Sequence, residues 1–263
     1  MKKILAALIC LFCLQSLPAR ATDYTGIWWN VSESGWGVEI VQQNSIMFVT
    51  LYVYDGGNQP TWYSASSVTK AAGSSSWTGS LYRTTGPAFY SAWGSPPVGV
   101  VPAGTITFTP TDAHHASLQY TITTGAAVAV SKTIERYTFK SLDVAGSYYG
   151  GFQGSSACLL GSSTPKDRRG DLSLSVSGTS VVMSTLLTTG QGCQFAGTLE
   201  QHGNQYKITN GAWQCNTPTE NGVFSADEVM VSDTGLTGKY SIAFGSGPLF
   251  VCHENGNFGG IKH

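Results

Sequence analysis

Short segments of alternating apolar and polar residues, separated by turn sequences, most limit the folds open to this chain. Trp36, Val38 and Ile40 stand at every second position, as in a strand with one buried face. Ile46–Tyr54 is a continuous apolar and β-branched run, and turn-forming residues follow it at positions 55–58. Apart from a short turn over Pro87–Trp93, no segment has a helical period. The pattern therefore predicts an all-β chain of antiparallel strands.

Composition agrees with a turn-rich β protein and disfavours several classes of function. Only 11% of the 263 residues are charged and the formal net charge is −1, whereas charged residues make up about 25% of an ordinary globular domain. The sequence has no basic aromatic patch, no phosphate-cradling loop and no metal-ligand spacing. We therefore expect no nucleic-acid partner, no metal and no cofactor.

The first 21 residues have the features of a secretory signal peptide. Lys2 and Lys3 precede the apolar stretch Ile4–Leu14, and an A-x-A cleavage site ends at Ala21. The apolar stretch is shorter than the ~20 residues that a spanning helix needs. We expect a mature chain that starts near Thr22, has no transmembrane segment, and resides in the periplasm or outside the cell.

Four cysteines remain after the predicted cleavage: Cys158, Cys193, Cys215 and Cys252. An even number in an exported chain indicates disulfides, with three possible connectivities. If the second half closes into a barrel, its first and last strands become neighbours. Cys158 would then pair with Cys252 near the seam, and Cys193 with Cys215 across nearby strands.

The two halves of the chain differ in their stabilising residues. All four mature cysteines follow residue 157, and six of the seven tryptophans precede residue 94. This predicts two domains, 22–141 and 142–263, each a small antiparallel barrel or strongly bent sandwich. Both open alike, with Gly26–Trp29 and Gly146–Tyr149 lying 120 positions apart. Whether Trp28 or Trp29 faces inward stays open, because a one-residue slip exchanges the two faces.

Strand signals also run through the second half. The predicted strands are Gly146–Phe152, Asp171–Val176, Ser180–Leu187, Gly192–Gln201, Gln205–Thr209, Gly211–Cys215, Gly222–Val231, Gly238–Phe244 and Leu249–His253. The charged stretch 166–169 is interpreted as an exposed loop. The tripeptide Arg169-Gly170-Asp171 is too short to indicate a binding function.

Several motifs resemble a Trp- and Gly-rich module that is common in exported proteins of Gram-negative bacteria. The matching segments cover most of residues 24–140 and are Gly26–Asn30, Glu33–Ile40, Tyr52–Asp55, Gly57–Tyr63 and Gly79–Phe89. That module has no settled activity, so the resemblance implies compartment and architecture more than function. The opening segment with Ser34 and Gly35 also looks like the first strand and loop of avidin- or lipocalin-type barrels, where such Asn and Ser side chains face the ligand.

Aromatic residues on predicted strands, together with a polar loop between two of them, form the candidate binding site. These residues are Trp28, Asn30, Glu33, Ser34, Trp36, Tyr52, Tyr54, Trp62 and Tyr63. The rings could line a lumen or form a stacking surface, or they could fill a small core. The polar residues could orient a ligand, or they could form a turn that bonds its own backbone.

The sequence favours a non-catalytic binding or interaction protein. Its partner would be a glycan, a small hydrophobic molecule or another exported protein. The alternative is a secreted hydrolase that uses a carboxylate such as Glu33 or Asp55, with Glu39 as a further candidate. A pair of carboxyl groups about 5–10 Å apart across a cleft would favour the hydrolase.

Overall fold

In a computed structural model the chain forms two closed barrels, each of eight antiparallel strands in sequential order. The structure describes residues 21–125, 127–159, 163–217, 220–245 and 252–263, so all of the predicted signal peptide except Ala21 lies outside it. The prediction of an all-β chain with two antiparallel barrels in tandem is confirmed. Across these ranges there is no helix, and nothing described is a helix able to cross a bilayer. The short turn expected within Pro87–Trp93 is present, since the backbone N–H of Ser91 donates to the carbonyl of Ala88 at 2.9 Å.

The first barrel closes by pairing of its first and last strands, β1 and β8. Its strands are β1 Gly26–Trp29, β2 Gly37–Gln43, β3 Ile46–Tyr54, β4 Pro60–Lys70, β5 Trp77–Thr85, β6 Gly99–Pro110, β7 His115–Ile122 and β8 Val128–Arg136. Alternate residues point inward. On β3, for example, Met47, Val49 and Leu51 are buried. The inward side chains pack together into one core, which also contains Trp28 and Phe108.

The second barrel repeats this arrangement, and its first strand pairs with its last. Its strands are β9 Gly146–Cys158, β10 Thr164–Ser177, β11 Ser180–Leu187, β12 Gly192–His202, β13 Gln205–Cys215, β14 Asn221–Ser232, β15 Gly235–Phe244 and β16 Cys252–Lys262. Its core is rich in aromatic rings, among them Phe152, Phe195 and Trp213. The chain divides into two compact units at Ser141 and Leu142, with the turn Gln201–Asn204 grouped with the first.

Three sequence-based expectations for the second half were wrong in detail. The charged stretch 166–169 is part of β10, because Arg168 finds a buried carboxylate partner, Glu254, on β16. The two strands predicted between Gln205 and Cys215 are one strand, with register shifts near Asn210. The last strand extends to Lys262, well beyond the predicted Leu249–His253, of which residues 249–251 lie outside the described residues.

The similar openings of the two halves correspond to equivalent positions in the two barrels. Gly26 and Gly146 begin the first strand of each barrel, with φ of 146° and 149°, a conformation that favours glycine. Two residues later, Trp28 and Tyr148 are fully buried. Trp28 Nε1 donates to the carbonyl of Tyr24, and the Tyr148 hydroxyl donates to the carbonyl of Val144, each at 3.0 Å and four residues back. Each half thus enters its barrel in the same way.

The two disulfides, Cys158–Cys252 and Cys193–Cys215, are those expected from closure of the second barrel. Cys158 ends β9 and Cys252 begins β16, and the two residues face each other directly across the seam. Cys193 and Cys215 lie on the neighbouring strands β12 and β13. The first bridge spans 94 residues of sequence and the second spans 22.

A buried arginine closes the seam of the first barrel. Arg136 is 3% exposed and lies opposite Trp28 in the β1–β8 pairing. Its guanidinium donates to the backbone carbonyls of Ala113, Thr25 and Asp23 at 2.8, 2.7 and 2.5 Å, and lies 4.7 Å from the centre of the Trp28 ring. Backbone carbonyls and an aromatic face therefore compensate the buried charge.

Replacing this arginine should destabilise the first barrel. We expect Arg136→Met to lower its free energy of unfolding by about 2–4 kcal/mol, because one buried and two part-buried carbonyls lose their donors. Denaturant unfolding followed by tryptophan fluorescence would measure this, since six of the seven tryptophans lie in the first half. Arg83→Met, at an exposed position on β5, is the matched control. Equal, small effects of both substitutions would contradict the structural role of Arg136.

Candidate functional site

The structure divides the predicted binding residues into three groups with different surroundings. Two of the rings lie in the core of the first barrel, four residues lie in the loop between β1 and β2, and three rings lie on the outer wall. In the order of these groups, the residues are Trp28 and Tyr63; Asn30, Glu33, Ser34 and Trp36; and Tyr52, Tyr54 and Trp62.

The core group has no surface for a ligand. Trp28 is fully buried and packs edge-on against Phe108, with ring centroids 5.1 Å apart. Tyr63 is 7% exposed and belongs to the same core. These rings fill the barrel, so we do not include Trp28 or Tyr63 in the candidate site. The register also settles which neighbouring tryptophan points inward: Trp28 does, whereas Trp29 packs against Tyr137.

The polar loop between β1 and β2 forms a turn that bonds itself and β8. Asn30 accepts a hydrogen bond from the backbone N–H of Ser32 at 2.9 Å, and its side-chain amide donates to the carbonyl of Thr133 at 3.0 Å. The backbone N–H of Glu33 donates to the carbonyl of Asn30 at 3.0 Å. Ser34 is exposed in the same turn. These contacts explain the loop as a rigid connection between two strands.

Glu33 holds the half-buried Trp36 ring in place. Its carboxylate accepts hydrogen bonds from Trp36 Nε1 at 3.0 Å and from Lys132 Nζ at 2.8 Å. The hydrogen bond from Lys132 is the main cause that lowers the pKa of Glu33, and the bond from Trp36 acts in the same direction. Trp36 packs partly against the core. Glu33 and Trp36 therefore support the barrel end next to the outer-wall rings.

Tyr52, Tyr54 and Trp62 form an exposed aromatic surface, which we call the outer aromatic face. Their side chains are 49, 56 and 54% exposed. Because Met47, Val49 and Leu51 point inward, the alternation along β3 places Tyr52 and Tyr54 outside. Both faces of this strand carry apolar residues, so one face packs in the core and the other is left uncovered.

The pairing of strands explains why these rings are accessible. Tyr52 lies opposite Trp62 on β4 and opposite Gly37 on β2. The glycine has no side chain to cover Tyr52 on that side, whereas Trp62 extends the aromatic surface on the other. Directly opposed residues on neighbouring strands lie close enough for their side chains to form one surface.

A row of polar residues accompanies the outer aromatic face. Glu39, Thr50 and Ser64 lie opposite one another on β2, β3 and β4. Their row is two residues along the strands from the row of Tyr52 and Trp62 and lies on the same face. The Tyr52 hydroxyl lies 3.5 Å from Glu39 Oε2. Rows on the same face are separated by about 6.8 Å, two residues of an antiparallel strand. Hydrogen-bonding groups therefore run alongside the rings.

Further exposed apolar side chains lie on the first barrel, outside the residues named from the sequence. Val41 and Phe48 lie opposite each other on β2 and β3 and are 40 and 45% exposed, and Ile46 is 47% exposed. In the loop after β5, Phe89, Tyr90 and Trp93 are 94, 81 and 77% exposed. The site predicted from the sequence did not include these loop rings. Their aromatic content was the signal that could have found them.

Comparisons with known proteins add little to these observations. No family model and no curated protein matches the chain. Among solved structures, it is similar to a protein of Bacteroides fragilis described as a putative outer membrane protein, with 16% identity, coverage of 91% of this chain and 96% of that chain, and a TM-score of 0.29. At so low a TM-score this likeness carries no inference about the present protein.

Proposed function

We propose that this chain is an exported, non-catalytic protein that binds polysaccharide through the outer aromatic face of its first barrel. The observation that carries the proposal is the half-exposed cluster of Tyr52, Tyr54 and Trp62, with a polar row beside it. Aromatic rings pack on the apolar faces of sugar rings, and neighbouring carboxylate and hydroxyl groups bond the sugar hydroxyls. An extended polysaccharide chain can lie along a surface on the outer wall of a barrel.

Three features support export. Disulfides persist in oxidising compartments, and both bridges lie in the second barrel. The first 21 residues have the charged start, apolar stretch and cleavage site of a signal peptide. The resemblance of residues 24–140 to an exported Gram-negative module points in the same direction.

The candidate carboxylates have structural partners, which favours binding over hydrolysis. Glu33 pairs with Lys132 and Trp36. Asp55 accepts hydrogen bonds from the backbone N–H groups of Gly57 and Gln59, at 2.8 and 3.0 Å, and so stabilises the turn between β3 and β4. Glu39 lies beside the Tyr52 hydroxyl on the outer wall. Each position has a role that needs no reaction.

A small hydrophobic ligand inside the first barrel is not supported, because buried side chains including Trp28 and Phe108 pack in that interior. A protein partner would use the same exposed rings, since aromatic residues are also enriched at protein interfaces. The polar row and the low overall charge favour the polysaccharide, and the experiment below separates the two.

Co-sedimentation with insoluble polysaccharides tests the proposal. The mature, oxidised chain should bind at least one of cellulose, chitin and peptidoglycan sacculi. We expect Tyr52→Ala/Trp62→Ala to weaken that binding about tenfold or more, since each stacked ring contributes about 0.5–1.5 kcal/mol beyond its buried area. Phe139→Ala, which removes a ring that is 76% exposed outside the face, should bind like the unchanged chain.

The proposal fails if the unchanged chain binds none of these polysaccharides, or if the double variant binds them equally well. Circular dichroism and thermal unfolding of each variant would show that loss of binding does not reflect loss of fold. If polysaccharide binding is absent, the exposed rings are instead explained by a protein partner.

A further inference from the structure

A groove of about 440 Å³ lies on the second barrel, on the side formed by β10, β9 and β16. Its lining includes Tyr149, Gln153, Asp167, Arg169 and Asn257. All five are exposed, and along their strands they alternate with inward-pointing residues. The groove is therefore a feature of the outer wall and is separate from the outer aromatic face of the first barrel.

The register of the three strands arranges the groove in parallel rows. Asp167, Gln153 and Asn257 lie opposite one another and form a polar row. In the last row of the groove, Tyr149 lies opposite Asp171 on one side and Ile261 on the other. The ring of Tyr149 is 53% exposed and forms an apolar edge.

Two glycines produce the depression between these rows. Gly151 lies opposite Gly259 on one side and Arg169 on the other. A Cβ on Gly151 would lie 1.9 Å from the carbonyl oxygen of Arg168, so the close approach of β9 and β10 requires glycine there. Because neither glycine has a side chain, these two positions form a floor of backbone between a polar edge and an aromatic edge, with the Arg169 side chain at the end of the same row.

The polar groups at this groove can donate and accept several hydrogen bonds at once. Arg169 Nε and Nη2 lie 3.3 and 3.2 Å from the carboxylate oxygens of Asp167, and both side chains are largely exposed. An exposed pair of this kind contributes little to stability, so its groups can bond a ligand at small cost. Gln153 and Asn257 each add one carbonyl oxygen that accepts and one NH2 group that donates hydrogen bonds. The charges of Asp167 and Arg169 cancel each other, and the carboxylate of Asp171, in the row of Tyr149, lies 3.8 Å from Nε2 of His263. A groove with so little net charge favours a neutral ligand.

We propose that this groove binds a single neutral sugar ring. Vicinal hydroxyls present donors and acceptors together, as do the amides of Gln153 and Asn257 and the pair of Asp167 and Arg169. The apolar face of the ring would pack on Tyr149 and the glycine floor. This second site rests on its own residues and does not depend on polysaccharide binding by the first barrel.

Protein-observed NMR with a panel of glucose, galactose and N-acetylglucosamine tests the site on the full mature chain. At least one sugar should produce saturable shifts at the backbone amides of Gly151, Gln153 and Gly259. Gln153→Ala/Asn257→Ala should weaken this binding at least tenfold. Asn255→Ala is the matched control, since Asn255 lies on the same face of β16 but outside the groove lining.

One further variant separates this proposal from the first. Trp62→Ala should leave the shifts around Gly151 unchanged, whatever its effect on polysaccharide binding. The inference is overturned if none of the sugars shifts these amides, if the shifts cluster only around the first barrel, or if the double variant binds like Asn255→Ala.

Discussion

The double substitution Cys158→Ser/Cys252→Ser should lower the free energy of unfolding of the second barrel by about 4.7 kcal/mol. This value follows from the chain-entropy model for a closed loop of about 94 residues. The bridge joins the first and last strands of the barrel, so its loss frees almost the whole unfolded domain. Denaturant unfolding of the oxidised protein, followed by far-UV circular dichroism, would measure the change.

The second bridge supplies the matched comparison. Cys193–Cys215 spans only 22 residues of sequence, and the same model gives a loss of about 3.4 kcal/mol for its removal. Removal of the Cys158–Cys252 bridge should therefore lower the free energy of unfolding by roughly 1.3 kcal/mol more than removal of the Cys193–Cys215 bridge. If removal of Cys193–Cys215 were clearly the more damaging, the entropic account of barrel closure would be wrong.

Glu254→Gln should destabilise the second barrel by about 2–4 kcal/mol. Glu254 is fully buried, and its carboxylate accepts two hydrogen bonds from the guanidinium of Arg168, one of 2.7 Å, and one from the hydroxyl of Tyr240 at 2.6 Å. The substitution leaves the Arg168 charge without its partner, and breaking a buried pair costs about 3–5 kcal/mol. We expect a loss slightly below that range because the arginine side chain is 29% exposed.

An exposed ion pair on β10, the strand of Arg168, is the control for this substitution. Arg169 and Asp167 have side chains that are 72 and 52% exposed, so Asp167→Asn should change the free energy of unfolding by less than about 1 kcal/mol. Comparable losses for Glu254→Gln and Asp167→Asn would contradict the importance of the buried pair. The unfolding transition of the second barrel, followed by circular dichroism, gives both values.

The buried pair of Arg168 and Glu254 makes the second barrel sensitive to acid. Burial alone would raise the pKa of Glu254, but the hydrogen bonds from Arg168 and Tyr240 outweigh it and lower that pKa below 4.5. A lowered folded-state pKa contributes stability that is present above the ordinary value and lost as the pH falls through the lowered one. The unchanged chain should therefore lose stability more steeply below about pH 4.5 than Glu254→Gln does.

Local pattern was sufficient to predict much of the fold. The alternation around Val38 and Ile40 and the apolar run of β3 identified strands, because each has a buried face that the residues themselves specify. The cysteine pairs followed from barrel closure, which makes Cys158 and Cys252 neighbours. The polar turn at Asn30 follows from side-chain bonds to nearby backbone groups.

Features that depend on distant partners were not predictable in the same way. The charged start of β10 is a strand because Arg168 meets Glu254, 86 residues away. The inward direction of Trp28 depends on register, which its own short strand does not specify. The groove of the second barrel needs β10, β9 and β16 side by side, and no single segment shows that Gly151 will lie opposite Gly259.

Hydroxyl-radical footprinting of the mature chain, with and without the bound polysaccharide, most directly tests whether the outer aromatic face is the binding surface. Mass spectrometry would report the oxidation of each ring. The account predicts strong protection of Tyr52, Tyr54 and Trp62 and unchanged oxidation of Phe139. Full oxidation of these three rings in the bound state, or protection confined to other parts of the chain, would contradict it.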